Sequence, residues 1–239
     1  HATIRRQRQM CIRDSLQRFF TRLAQREIHI LSTNMMGGRL YEVDLRLRPN
    51  GDSGLVVTSA QALERYLKHD AWTWEHQALV RARVVAGAPE LLTHMEALRA
   101  EVLSTRRDDV SLADEVTAMR QKMRDHSPAV VDASRQVALK YGPGGIVDIE
   151  FVVQYLVLKH AAHYPDVGRW SDVVRILEAL EACRILSSSD ANSLKEAYLG
   201  LRSSVHRAAV SNASDGDSVE TDDLMKQASA ACARLLQNL

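Results

Sequence analysis

The sequence has almost no net charge, few cysteines and no long apolar run. Lys+Arg total 31 and Asp+Glu 30, a formal charge of +1, so no global basic field argues for nucleic acid and no polybasic tail argues for a membrane surface. The three cysteines, Cys11, Cys183 and Cys232, are far apart, odd in number and free of CxxC spacing. That pattern indicates neither a disulfide framework nor a zinc knuckle, and it fits a reducing cytoplasm. No stretch approaches the roughly 20 uninterrupted apolar residues of a membrane span, and the first residues carry charge where a signal peptide needs an apolar core. Internal repeats and low-complexity segments are also absent.

What remains is a chain of 239 residues, 46% of them hydrophobic, enough for one large domain or two small ones with a buried core. From Leu16, the apolar positions Phe19, Phe20, Leu23, Ile30 and Leu31 keep helical spacing, and Asn34 to Gly38 supplies a turn that ends the helix. The period then changes. Across Arg39 to Pro49, Tyr41, Val43, Leu45 and Leu47 alternate with Glu42, Asp44, Arg46 and Arg48, which predicts a half-buried strand. Pro49 to Gly54 reads as a turn and Leu55-Val56-Val57 as a short returning strand.

Beyond Thr58 the pattern is almost wholly helical. Thr58 with Gln61 fits a capping box, Pro89 a first helical turn, and Ser111 with Asp114 another helix start. Helices are predicted near 59–69, 72–86, 89–104, 111–126, 147–163, 171–182, 189–210 and 221–237. Two interruptions stand out. Ser127 to Val147 holds Val137-Ala138-Leu139-Lys140, predicted as a strand, and Gly142-Pro143-Gly144-Gly145, predicted as a tight turn into a helix; Ser211 to Val219 is predicted as an exposed loop.

Asp44 is the sharpest candidate for chemistry. A carboxylate on the polar face of a strand, flanked by Glu42 and Arg46, suits a metal-bound phosphate, since nucleotidyl transfer needs carboxylates converging on Mg²⁺ and cations near the phosphoryl oxygens. From spacing alone the signal is weak, and a solvated strand face with cross-strand ion pairs is the better fit. Gly51-Asp52-Ser53-Gly54 offers backbone N–H groups to a phosphate or simply makes a hairpin turn; it lacks the Walker pattern. Asp148 and Glu150 stand at a helix start, where they either cap it or face a cleft. Trp72, Trp74, Glu75, Gln77, Arg81 and Arg83 share one predicted helix and read mostly as packing plus an ion-paired surface. His160 and His163 have metal-compatible spacing but no third ligand in the sequence nearby. No serine or cysteine lies in a recognisable nucleophile elbow.

Several ordered strings carry a resemblance. Leu40 to Pro49, Gly51 to Gly54, Trp72 to Arg83, Gly144 to Phe151 with Gln154-Tyr155-Leu156, and Arg169-Trp170-Ser171-Asp172 with Arg175-Ile176-Leu177 together resemble the glutamine synthetase adenylyltransferase family, from about Leu16 to near the C-terminus. The resemblance implies a mainly α chain: part of a DNA polymerase β-like nucleotidyltransferase α/β domain over residues 16–104, then a helical bundle domain over 105–239. It implies transfer of AMP from ATP to a tyrosine of glutamine synthetase, with Mg²⁺ as cofactor and glutamine synthetase and the signalling protein PII as partners. Asp44 falls on the family's third metal carboxylate. Arg46, Arg48, Gly51, Ser53 and Gly54 are then expected near the nucleotide, with Asp148 and Glu150 lining the cleft from the helical side.

The family's other two carboxylates come from a Gly-Ser…Asp-x-Asp motif that does not precede Asp44 here, so the chain by itself is expected to be inactive. Ala71 to Leu79 and Arg169 to Asp172 look like the adenylyl-adding half of these two-headed enzymes. The adenylyl-removing half and a non-catalytic helical module remain the alternatives. Residues 1–15 do not share the resemblance. Gln9 to Ser15 back-translates to CAG ATG TGT ATA AGA GAC AG plus one base, which matches a transposase adaptor used in library preparation, so this segment is expected to be non-native.

Overall fold

The computed structural model describes residues 2–39, 43–45, 48–51, 54–126, 134–211 and 218–237. It is mainly helical, and the chain divides into two compact units, residues 1–71 and 72–239.

The first unit begins with a long helix, α1 (Ala2–Ser32), which continues through the residues expected to be non-native. The turn signal after it works as predicted. The Thr33 amide closes on the His29 carbonyl at 3.0 Å, and a minimal antiparallel hairpin follows, β1 (Asn34–Met35) with β2 (Gly38–Arg39), in the register Asn34 to Arg39. The predicted strand over 39–49 does not form at Val43, Asp44 or Leu45; Leu40–Glu42, Arg46 and Leu47 lie outside the described residues. Leu55–Val57 is not a strand either. An alternating pattern makes a strand only when a neighbour takes its backbone groups, and here the Val57 carbonyl accepts instead from Gln17 Nε2 at 2.6 Å. α2 (Ala60–His69) starts one residue later than the predicted capping box, with Ser59 Oγ accepting from the Ala62 amide.

The second unit is built around α7 (Ile146–His160), and the reason is visible in its composition. Ile146, Ile149, Phe151, Val152, Val153, Tyr155, Leu156, Val157 and Leu158 are all buried. A helix that is apolar around most of its circumference has little solvent face and must be covered on most sides. α3 (Thr73–Val80), α5 (Asp109–Asp125), α6 (Arg135–Tyr141), α8 (Val173–Ala182), α9 (Ser188–Ser211) and α10 (Ser218–Gln237) all pack on it. α4 (Pro89–Leu103) joins through α3 and a 3-10 helix at Pro165–Gly168. Thus α3 and α4 pack with the second unit, whereas the resemblance groups residues up to 104 with the transferase part. No described helix is long and apolar enough to cross a membrane.

Three predicted elements change. α3 ends at Val80 rather than near 86, because the buried Arg99 guanidinium binds the Leu79 and Val80 carbonyls. α5 is capped by Asp108, whose carboxylate accepts from the Ser111 amide at 2.9 Å, so the start lies before the predicted capping box. Val137–Lys140 is helical, not a strand: Arg, Gln, Ala, Leu and Lys favour helix, and α6 buries Leu139 against its neighbours.

The glycine turn between α6 and α7 is required by close approach. Gly144 adopts φ +76, and a Cβ there would overlap the Met225 carbonyl oxygen and sit 2.8 Å from the Ser229 nitrogen on α10. Strained backbone and steric overlap act together, so Gly144→Ala is expected to cost about 3 kcal/mol or more. A Cβ on Gly168 meets only ordinary contacts, from 3.6 Å outward, and Gly168→Ala should cost under about 1 kcal/mol. Urea unfolding of both variants checks this; equal midpoints would contradict the account.

Candidate functional site

In the first unit, Asp44 is exposed. Arg48, Gly51 and Gly54 come together in a tight turn in which Asn50 and Gly51 both have positive φ. The Gly51 amide donates to the Arg48 carbonyl at 2.8 Å and the Gly54 amide to the Gly51 carbonyl at 3.1 Å. Arg48 folds back on the same turn, with Nη1 2.7 Å from the Leu45 carbonyl oxygen and Nε 3.4 Å from that of Gly54. The turn therefore holds its own donors; a phosphate would have to displace these bonds. Arg46 and Ser53 lie outside the described residues.

In the second unit, α7 carries both acids, and the structure gives them different surroundings. Residues two apart on a helix point to different faces. Asp148 is 2% exposed and faces α5. Arg120 Nε donates to its Oδ1 and Arg124 Nη2 to its Oδ2, both at 2.9 Å, and Arg120 Nη2 completes a two-pronged ion pair. The Gly144 amide adds a fourth donor at 2.8 Å. Glu150 lies nearer solvent. It pairs with Arg81 at the end of α3, and Tyr198 of α9 donates to it at 3.3 Å while accepting from Arg202 at 3.1 Å.

Asp148 is thus a buried, fully engaged anion at a helix N-terminus, whereas Glu150 is a carboxylate a ligand can reach by displacing one exposed partner. Sequence reasoning missed Arg120 and Arg124 as partners, although their four-residue spacing puts two cations on one helix face. It also missed Arg99. That side chain is buried, and burial pulls its guanidinium below the ordinary value, with Glu96 acting weakly in the opposite direction. Its Nη1 donates to the Gly168 carbonyl at 2.8 Å and Nη2 to that of Trp170 at 3.0 Å, besides the end of α3. Cys232 on α10 is no nucleophile: burial, helped by the Asp148 charge, pushes its thiol up to about 12. Among the described residues no group of three His, Cys, Asp or Glu side chains is placed to hold a metal ion.

A family model described as glutamate-ammonia ligase adenylyltransferase matches residues 7–98. The bifunctional glutamine synthetase adenylyltransferase/adenylyl-removing enzyme of Hahella chejuensis is 46% identical over 214 residues, covering 88% of this chain and 22% of that protein. The enzyme of the same name from Pseudomonas putida is 48% identical over 207 residues, covering 82% of this chain and 21% of that protein. The chain belongs to the glutamine synthetase adenylyltransferase family. It spans about a fifth of the length of these curated relatives. A second model, described as GlnD PII-uridylyltransferase, matches residues 114–235, so this adenylyltransferase-family chain shares its α5–α10 region with another nucleotidyl-transferring family.

The contrast between the two α7 acids is measurable. Asp148→Asn leaves two arginines facing a neutral amide in a buried site and is expected to cost about 3–5 kcal/mol. Glu150→Gln disturbs a pair whose side chains are 35% and 20% exposed and should cost no more than about 1 kcal/mol. Chemical denaturation of the two variants reads the difference, and a larger loss for Glu150→Gln would reverse the assignment.

Proposed function

We propose that this chain is the later part of an adenylyl-transferring unit that moves AMP from ATP to a tyrosine of glutamine synthetase, acting in the cytoplasm. The observation that carries the reading is family membership at 46–48% identity across most of the chain. The direction of the reaction rests on less, because the relatives are named for both adenylylation and its removal. Trp72 to Leu79 and Arg169 to Asp172 favour addition.

In this reading residues 16–104 supply part of a DNA polymerase β-like nucleotidyltransferase domain, and Asp44 is one ligand of Mg²⁺. When bound, the cation would offset charge on the phosphoryl oxygens. Mg²⁺ takes one or two carboxylates together with waters and substrate phosphates, and the described residues offer Asp44 without a converging set. Asp44 would supply one anchoring carboxylate in the whole protein. Arg46, Arg48 and the Gly51–Gly54 turn would lie near the nucleotide, and Glu150 would present the second unit's accessible carboxylate. Asp148 would hold the helix that carries Glu150.

A second reading is favoured by the match of residues 114–235 to the PII-uridylyltransferase model. There the helical unit is a module that recognises glutamine synthetase or PII and performs no chemistry of its own. Incorporation of labelled AMP into glutamine synthetase separates the readings. The full-length protein should transfer AMP with Mg²⁺ and ATP, and the present chain should not. In the full-length protein, Asp44→Asn should lose at least about 100-fold in rate, as expected on removing one strong electrostatic contact, and Asp52→Asn far less. Near-normal rates for Asp44→Asn would remove Asp44 from the mechanism. Phosphate-dependent release of the adenylyl group as ADP from adenylylated glutamine synthetase, without incorporation, would assign the chain to the adenylyl-removing half.

A further inference from the structure

The string Arg169-Trp170-Ser171-Asp172 takes no part in the catalytic reading, yet the structure gives it an unusual arrangement. The Arg169 guanidinium carbon lies 4.9 Å and that of Arg175 4.6 Å from the centroid of the Trp170 ring. Both arginines are exposed, and Trp170 is half-buried. The tryptophan's backbone is fixed from inside, because its carbonyl accepts from the buried Arg99. Two like charges are therefore held beside one rigid aromatic ring, an attraction worth about 0.5–1 kcal/mol each at exposed sites.

Stacked arginines usually find a carboxylate for their N–H edges. Among the described residues neither Arg169 nor Arg175 has an ion pair or a side-chain hydrogen bond, and the carboxylates of Asp172, Glu178 and Glu96 are used elsewhere. Asp172 caps α8 by accepting from the Arg175 amide, Glu178 pairs with Lys195, and Glu96 accepts from the Val84 amide. Asp166 lines the same open cleft of about 350 Å³ as Arg169, together with Glu96 and Ser104.

We propose that the Arg169–Trp170–Arg175 stack is a docking contact for an acidic segment of a partner protein, with partner carboxylates taking the outward edges of the two guanidiniums. Aromatic and arginine anchors held rigid before contact are the composition of interface hot spots. The flanking acids and the formal charge of +1 on the whole chain argue against an extended polyanion such as nucleic acid, which a continuous basic track would serve. The proposal does not depend on which half of the enzyme the chain represents, nor on any catalytic role for Asp44.

The test uses the full chain and a fluorescein-labelled peptide of alternating Asp, Glu and Gly residues, with a Lys-for-acid counterpart and inorganic phosphate as controls. Binding is read by anisotropy at low salt and by the indole N–H resonance of Trp170. The acidic peptide should bind saturably, shift that resonance and weaken with added salt. Arg169→Gln with Arg175→Gln should weaken it at least tenfold while lowering the thermal midpoint by only a few degrees, the loss expected from two exposed cation–π contacts. Arg175→Glu should lose the acidic peptide and gain the lysine counterpart. Absence of saturable binding, unchanged binding by the double variant, or phosphate competing as well as the peptide would each overturn the proposal.

Discussion

A carboxylate buried at the start of an apolar helix is costly unless every lone pair is used, and Asp148 meets that condition through side chains and backbone from outside its own turn. Arg120 and Arg124 bring α5 to it, and the Gly144 amide brings the glycine turn. The turn in turn sets how closely α10 approaches, because Gly144 lies against Met225 and Ser229. Three elements are thereby referred to one side chain. Desolvation makes the arrangement sensitive: with all partners present the charges compensate, and with one removed a charge is left buried. The apolar surface of α7 supplies the driving force for assembly, while this junction selects how α5 and α10 sit on it.

Arg99 performs the corresponding task at the other end of the second unit. It has no carboxylate in an ion pair and is instead surrounded by backbone carbonyls from the end of α3 and from residues 168–170. Satisfying those carbonyls stops α3 at Val80, which leaves Arg81 at the helix end where it meets Glu150. The same guanidinium anchors Trp170. The side chains of Arg81, Glu150 and Trp170 are therefore positioned by groups that are themselves buried, as expected where a packed scaffold holds the more exposed contacts.

Much of the helical architecture was legible because it depends on local signals. The helix predicted near 147–163, Pro89 at the start of α4 and the Asn34–Gly38 turn depend on signals within a few residues of themselves, and each appears close to where the sequence placed it. What was not legible depended on distant partners. The alternation of Tyr41 to Leu47 describes a strand only beside another strand, and the described part of that segment has none. Val137 and Leu139 mimic alternation inside a short helix. Asp148 and Glu150 look equivalent in sequence, and only Arg120, Arg124 and Tyr198 from other helices separate a structural anion from an accessible one. Asp44 shows the limit most clearly: its candidacy comes from family likeness, since its described surroundings contribute no converging ligand set.

Backbone amide exchange in the chain and in its Asp148→Asn variant tests the junction directly. If Asp148 joins α5, the glycine turn and α10, the variant should exchange faster at Gly144, across Leu112–Met119 and across Ala228–Cys232 together, while α8 keeps its protection. Faster exchange confined to Gly144, with α5 and α10 as protected as before, would show that the carboxylate merely caps its own helix and that apolar packing alone sets the arrangement.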